Sequence, residues 1–349
     1  MQRALELARR GIYSSHPNPR VGVVIVKDGE IVGEGWHQRA GGPHAEVGAL
    51  AQAGARARGA DLYVTLEPCS HHGRTPPCAD AVIGAGVRKV IAAMADPNPK
   101  VAGQGLARLS AAGVEVESGL CERDARELNR SYLARMTRGT PWVTLKLAAS
   151  ADGRTAMASG ESQWITGADA RADVHRLRAQ AGAVLTTSAT VLADDPALTV
   201  RDFAPPAGCT LRQPDRVVLD AQARIPASAK VWQDNGARTF HLTGAKHRLD
   251  AGGHIAMPDA LQFLAQQDIN EVLVECGPRF AGALLAQNLV DELVLYLAPS
   301  LLGHEARPLA ALPGLVTLDH RVALEWVEAV KIGSDMRLTA RPACRKPSD

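Results

Sequence analysis

The chain has 349 residues, 46% of them apolar and 22% charged, which is too long for one ordinary hydrophobic core and suits two domains. A formal net charge of +2 and an aromatic content of 4% argue against a nucleic-acid-binding surface, and no apolar run is long enough to span a bilayer, so neither nucleic acid nor membrane is expected as a partner. Six cysteines in a chain of this size suit a reduced, cytoplasmic setting better than a disulfide framework, and no secretory apolar segment follows Met1-Gln2-Arg3-Ala4-Leu5.

The spacing of Ala4, Leu5, Leu7 and Ala8 predicts a helix over 2–11. The proline-stiffened loop His16-Pro17-Asn18-Pro19-Arg20 leads into a buried strand over 21–26. Asp28-Gly29 is a hairpin signal and 30–37 the returning strand. Residues 44–55 read as a helix with His44 and Glu46 in its first turn, where unpaired N–H groups favour anionic species. A strand over 61–66 runs directly into Glu67-Pro68-Cys69. Helix 78–85, strand 87–93, helix 103–112, a short strand over 114–116 and one long charged helix over 122–138 follow.

Gly and Pro in Thr137-Arg138-Gly139-Thr140-Pro141 break the pattern and put a boundary there, giving domains 1–139 and 140–349. The second half reads as strand 142–148, helix 169–178, strands 183–187, 216–219 and 239–243, helix 258–267, strand 271–275, helix 280–286 and strand 292–297. A hairpin pairs 324–332 with 336–340 around Gly333-Ser334, and 202–215 is loop-like. Strand and helix alternate in both halves, which argues an α/β class with some parallel pairing.

The chemistry gathers between His44 and Cys78. His44, Cys69 and Cys78 supply three zinc ligands and leave a fourth position for water, the arrangement of a catalytic rather than a structural site. Glu46, two residues beyond the His, is placed to move protons rather than to bind metal. His-x-Glu followed by Pro-Cys and a second Cys is the zinc-deaminase pattern. One feature departs from it: eight residues, Ser70 to Pro77, separate the two cysteines instead of two. A zinc-ribbon corner or two unrelated cysteines is the competing reading.

In the second half no G-x-G-x-x-G follows a strand. Val274-Glu275-Cys276-Gly277-Pro278-Arg279-Phe280-Ala281-Gly282 runs from a strand into a helix, where Gly277 permits close backbone approach and the helix start can receive a phosphate. An ordinary strand-to-helix turn explains it equally well. From the residues alone Asn18 reads evenly as an Asx turn or a ligand contact, His37 as a surface strand residue, and Arg74 as solvated or as an anion contact beside the metal.

His44-Ala45-Glu46 with Glu67-Pro68-Cys69-Ser70-His71-His72-Gly73-Arg74-Thr75-Pro76-Pro77-Cys78 closely resembles the bifunctional riboflavin biosynthesis deaminase/reductase family. Pro17-Asn18-Pro19-Arg20-Val21-Gly22 and Asp96-Pro97-Asn98-Pro99 resemble it too. Lys146 to Arg154, Gly160 to Thr166 and Leu192 to Arg201 are similar to its reductase half, so the resemblance extends to about Ala340. It implies a cytidine-deaminase-like three-layer α/β/α domain followed by a dihydrofolate-reductase-like α/β domain. It further implies one zinc ion per chain, NADPH, a small phosphorylated pyrimidine as substrate, and a homodimer or higher homo-oligomer. The implied reactions are hydrolytic deamination of 2,5-diamino-6-(5-phosphoribosylamino)pyrimidin-4-one, then reduction of the ribosyl group of 5-amino-6-(5-phosphoribosylamino)uracil to ribityl.

Carried onto this sequence, the resemblance gives Asn18, His37 and Arg74 to the deaminase substrate. It gives Lys146, Ser162, Arg178, Leu198, Arg201 and Glu275 to the reductase substrate. It gives Ala148, Trp164, Thr190, Asp194, Ala221 and the turn Gly277, Pro278, Arg279, Phe280, Ala281, Gly282 and Ala283 to the dinucleotide. Ala151, where Leu is expected, and Ala148, often Gly, are small apolar departures. The residues leave two rivals: a nucleic-acid-editing deaminase with an RNA-binding second half, and a deaminase with a purely structural second domain.

Overall fold

In the computed structural model, which describes residues 1–70, 76–99 and 101–343, the chain divides into two compact units. One comprises residues 1–139 together with 204–212, and the other residues 140–203 and 213–349.

The first unit is built on strands β1 (Gly22–Lys27), β2 (Glu30–Trp36), β3 (Asp61–Val64), β4 (Lys89–Ala92) and β5 (Glu115–Ser118), in the order β2-β1-β3-β4-β5. β1 pairs antiparallel with β2 and β3, whereas β3, β4 and β5 run parallel. Its helices are α1 (Gln2–Arg9), α2 (Ala45–Ala53), α3 (Cys78–Gly84), α4 (Gln104–Ala111), α5 (Glu122–Leu128) and α6 (Arg130–Arg138). The pleat sends alternate side chains of β1 to opposite faces. Val23 and Ile25 join Ala45, Ala49, Ala79, Val82 and Leu109 on the α2, α3 and α4 side. Val24 meets Ala4 and Leu7 of α1 on the other, where Leu5 and Ala8 pack with Ala125, Leu128, Tyr132 and Leu133. The result is a sheet between two helical layers, as expected. Gly35 lets α2 press on β2: a Cβ there would lie 2.3 Å from the carbonyl oxygen of Ala45, so the first turn of α2 is pinned to the sheet.

The single helix expected over 122–138 is two, broken at Asn129. The Asn129 amide leaves the helical pattern to grip a distant loop, its Oδ1 accepting from Arg20 N at 2.7 Å and its Nδ2 donating to Arg20 O at 2.9 Å. Such side-chain-to-backbone bonding competes with helix continuation.

The second unit carries β6 (Trp142–Ser150), β7 (Arg154–Ala156), β8 (Ala183–Thr187), β9 (Asp215–Leu219), β10 (Thr239–Leu242), β11 (Glu271–Glu275), β12 (Glu292–Ala298), β13 (Arg307–Pro308), β14 (Leu324–Ile332) and β15 (Asp335–Pro342). Its helices are α7 (Ala168–Gln180), α8 (Ser188–Asp194), α9 (Met257–Gln266) and α10 (Pro278–Ala286). The large sheet has the order β10-β9-β8-β11-β6-β12-β15-β14, parallel from β10 to β12 and antiparallel beyond. Val143, Leu145 and Leu147 face α9 and α10. On the other face Val184 and Val218 pack with Val191 of α8, and Val294 and Tyr296 with Ala170 and Val174 of α7.

Two features of this unit were absent from the sequence reading. α8 spans only seven residues, too short for a periodic signal, and is capped by Thr187, whose Oγ1 accepts from Thr190 N. β7 and β13 form a small separate ribbon. Among the described residues, no helix is long and apolar enough to cross a membrane.

Candidate functional site

The close fit of α2 on β2 fixes where its first turn points. His44 is the N-cap residue and Glu46 lies in the first turn with 3% of its surface exposed. Cys69 follows the end of β3, and Cys78 opens α3. His44 Nδ1 lies 3.1 Å from Cys78 Sγ and 3.6 Å from Cys69 Sγ, and Cys78 N donates to Cys69 Sγ at 3.3 Å. The three donor atoms all lie within 4.8 Å of one another. A borderline nitrogen and two soft sulfurs converging from one side are the donor set of a three-ligand zinc site.

Glu46 supports that fit. Its Oε2 is buried and has no hydrogen-bond partner among the described residues. A buried carboxylate oxygen with no partner is otherwise a cost without a return, and a zinc ion held by the three donors would supply a water for it to bond. Burial pushes the Glu46 carboxyl above the usual carboxylate range, against the opposing pull of the His44 charge. The hydrogen bond with Cys78, together with that to His44, holds the Cys69 thiol down at about 4, while Cys78 is pushed up. The site is thus disposed to present at least one thiolate to a cation.

Asn18 and His37 are brought to the same place. His37 is not the surface residue that sequence alone favours but is 3% exposed, and its ring stands edge-on to His44 at 5.5 Å between centroids. Its Nδ1 lies 3.1 Å from the Pro43 carbonyl and its Nε2 3.0 Å from Asn18 Nδ2. A carbonyl only accepts and an amide NH2 only donates, so the proton is assigned to Nδ1. Burial lowers the His37 pKa, which keeps the ring neutral. Arg74 lies outside the described residues.

In the second unit the C-terminal ends of the parallel strands gather most of the remaining expected residues, the edge at which open α/β sheets bind ligands. Lys146 on β6 is the register partner of Glu275 on β11, and Ala148 pairs with Tyr296 on β12. Arg178 of α7 donates from Nε and Nη2 to Glu275 at 2.5 and 2.9 Å and from Nη1 to Thr199 O at 3.0 Å. Burial alone would raise the Glu275 carboxyl, but Arg178 outweighs it and holds the group down at about 2. Burial lowers Lys146 from the ordinary amine range. Arg201 is joined to this group through its backbone N–H, which donates to His175 Nδ1 at 3.2 Å.

Gly277 is the N-cap of α10, and nothing lies within 4 Å of where its Cβ would be. The turn therefore offers open approach to a phosphate at the helix start, where Pro278, Arg279 and Phe280 follow. Ala281 is fully buried in the core, and a Cβ on Gly282 would lie 1.8 Å from Ala311 O, so those two face inward, with Ala283 exposed beside them. Thr190 and Asp194 lie on α8, and Ala221 just past β9. Ser162 and Trp164 sit in the loop before α7, Trp164 being 69% exposed with the Arg171 guanidinium 4.5 Å over its ring. Leu198 is 2% exposed and packs with Val184 and Val191, so its side chain belongs to the core.

Sequence reasoning passed over Asn129, which locks the Asn18 loop, and His175. Asn in the middle of a charged helical pattern is the one local signal that existed.

The profile described as the cytidine and deoxycytidylate deaminase zinc-binding region matches residues 1–94, and the RibD C-terminal domain matches residues 141–338. The riboflavin biosynthesis protein RibD of Escherichia coli is 54% identical over 97% of each chain, and that of Bacillus amyloliquefaciens is 43% identical over 100% of this chain and 97% of its own. The chain belongs to the RibD family. Among solved structures, RibD of Acinetobacter baumannii superposes with a TM-score of 0.89 at 44% identity, covering 98% of this chain and 97% of that one. A Thermotoga maritima protein described as a diaminohydroxyphosphoribosylaminopyrimidine deaminase/5-amino-6-(5-phosphoribosylamino)uracil reductase gives 0.86 at 34% identity, with the same coverage. The fold is therefore that of RibD, a zinc-binding deaminase half followed by a reductase half, and the resemblance stated from the motifs holds over nearly the whole chain.

Proposed function

We propose that this bifunctional riboflavin biosynthesis enzyme deaminates 2,5-diamino-6-(5-phosphoribosylamino)pyrimidin-4-one within residues 1–139. Residues 140–349 then reduce the ribosyl group of 5-amino-6-(5-phosphoribosylamino)uracil to ribityl. The observation that carries the first step is the convergence of His44 Nδ1, Cys69 Sγ and Cys78 Sγ within 4.8 Å beside the partnerless Glu46 oxygen. When bound, zinc supplies the Lewis acidity that makes water a competent nucleophile near neutral pH. Glu46 takes one proton of the attacking water and delivers it to the ring nitrogen, then takes the hydroxyl proton left on the tetrahedral carbon and passes it to the amine, which leaves as ammonia as the carbonyl forms. Its burial, which raises its proton affinity, suits a group that must both accept and return a proton. Asn18, oriented by neutral His37, binds the pyrimidine, and Arg74 takes the phosphate.

In the second step NADPH supplies the hydride. Ala148, Trp164, Thr190, Asp194, Ala221 and the turn from Gly277 line the dinucleotide. Ser162, Arg178, Arg201 and Glu275 position the sugar phosphate, with Leu198 contributing through its backbone. Lys146, mid-strand on the central β6 and the register partner of Glu275, binds the sugar hydroxyls and is the candidate for assisting protonation. The chain works in the cytoplasm, which fits five described cysteines that are all free. It works as a homodimer or higher homo-oligomer, for which the exposed edge strand β14, with Trp326 63% and Val327 52% exposed, offers a seam.

Metal-replete protein given the deaminated intermediate should oxidise NADPH, read as loss of its absorbance. Metal-stripped protein should still do so while failing to process the diamino pyrimidine. Absence of NADPH consumption by the replete protein sinks the reductase assignment, and deamination by stripped protein sinks the metal assignment.

A further inference from the structure

Glu67 is 3% exposed, and among the described residues its carboxylate is bonded by backbone N–H groups rather than by a lysine or arginine. Its Oε2 accepts from Asp96 N at 3.0 Å and Gly103 N at 2.9 Å, and its Oε1 from Gly105 N at 2.8 Å and Leu106 N at 3.2 Å. Those last donors are the first N–H groups of α4, which has no capping side chain of its own. An anion at a helix start, satisfied by four N–H bonds, is a strong and geometrically exact demand on both partners.

The other end of this clamp is the metal site. Glu67 is two residues before Cys69, with Pro68 between them, and proline fixes its own φ. Gly105, one of the four donors, seats Pro68 directly: a Cβ at Gly105 would lie 1.9 Å from Pro68 O. On its other side Cys69 is tied to α3, its carbonyl accepting from Ala79 N at 3.1 Å and its Sγ from Cys78 N at 3.3 Å. Cys69 is thus held between two helices: α4 grips the segment before it through Glu67 and the Pro68–Gly105 contact, and the residue after it through Arg108, whose Nη1 donates to Ser70 O at 3.2 Å.

We infer that Glu67 is a positioning residue for the metal centre: it fixes the Cys69 sulfur relative to His44 and Cys78 by docking the Pro68–Cys69 backbone on the start of α4. The inference rests on the reading of His44, Cys69 and Cys78 as the zinc ligands. Partners that orient ligands in this way change metal affinity about 10–100-fold when removed. In Glu67→Gln the amide NH2 faces backbone N–H donors, so half the grip is lost while size is kept. Leu109→Ala is the control: Leu109 is a buried α4 residue facing the core, and its truncation loosens α4 without touching the carboxylate.

The test is zinc affinity of the full-length reduced chain, by competition with a chromophoric chelator, alongside zinc stoichiometry of the wild type. Glu67→Gln should bind zinc at least tenfold more weakly, and Leu109→Ala should not. A smaller change in folded Glu67→Gln, or an equal loss in Leu109→Ala, overturns the positioning role. Should Glu67→Gln fail to fold, Gly105→Ala, whose Cβ would lie 1.9 Å from Pro68 O and 3.1 Å from Glu67 Oε1 and so presses on both halves of the clamp, is read against the same tenfold threshold. A wild type that binds no zinc would refute the ligand reading itself, a result distinct from zinc-binding wild type with unaffected variants.

Discussion

Replacing Arg178 by Met removes the cation from a buried pair while keeping most of the aliphatic volume. Both side chains are only 12% and 14% exposed, so the interaction is not screened as a surface ion pair would be. Leaving a buried carboxylate without its cation costs about 3–5 kcal/mol. Titration points the same way: burial raises Glu275, but Arg178, aided by Lys146 and His175, holds it at about 2 in the folded chain, against about 4.3 unfolded, and a net two pK units correspond to about 3 kcal/mol. The folded pKa is the lower one. The stabilisation is therefore complete above the unfolded value and is lost as pH falls through about 4 toward about 2. Calorimetry of the full chain can follow this, with the transition of the second unit identified by its upward shift on adding NADPH. At about 2–4 °C per kcal/mol, a 3 kcal/mol loss lowers that transition by roughly 6–12 °C at pH 7. The gap to wild type should narrow as pH falls below about 4. A shift under about 2 °C at pH 7, or a gap that does not depend on pH, refutes the reasoning.

Glu46→Gln should retain zinc and NADPH oxidation but lose deaminase turnover by about 10²–10⁴; turnover close to wild type removes Glu46 from proton transfer. Asn129→Ala deletes both bonds to the Arg20 backbone from a residue that is 2% exposed. It should lower the stability of the first unit by about 1–3 kcal/mol and raise the deaminase KM through the Asn18 loop, and an unchanged KM would separate that loop from substrate binding. Arg201→Ala should raise the reductase KM several-fold with little change in kcat and none in deamination; an unchanged KM contradicts a phosphate contact.

The metal centre was legible because its chemistry is local in sequence. His44 and Glu46 share one helix start, and each of the two ligand cysteines follows a proline, Cys69 in the loop after β3 and Cys78 at the start of α3. The residues that hold the site in place were not legible, since their partners are remote. Asn129 bonds Arg20 across 109 positions, and Glu67 reaches donors 29 to 39 residues downstream. Periodicity therefore ran a helix straight through Asn129, and Glu67 appeared only as a member of a motif. In the second unit the order of strands brings Lys146 beside Glu275, a neighbour relation across 129 positions that a list of β-rich runs does not contain. Leu198 illustrates the converse. A resemblance can name a position, but only packing reveals that its side chain is committed to the core.

Residues 204–212 pack into the first unit although they are synthesised long after the rest of it. In that unit Arg212 N donates to Tyr13 O at 3.1 Å, so its packing is incomplete when Gly139 leaves the ribosome. Residue 212 is made 73 positions later. At about 5–20 residues per second the nascent deaminase half waits roughly 4–15 s for its last piece. Translation pauses placed between codons 140 and 212 would lengthen that exposure, and pauses after 212 would not.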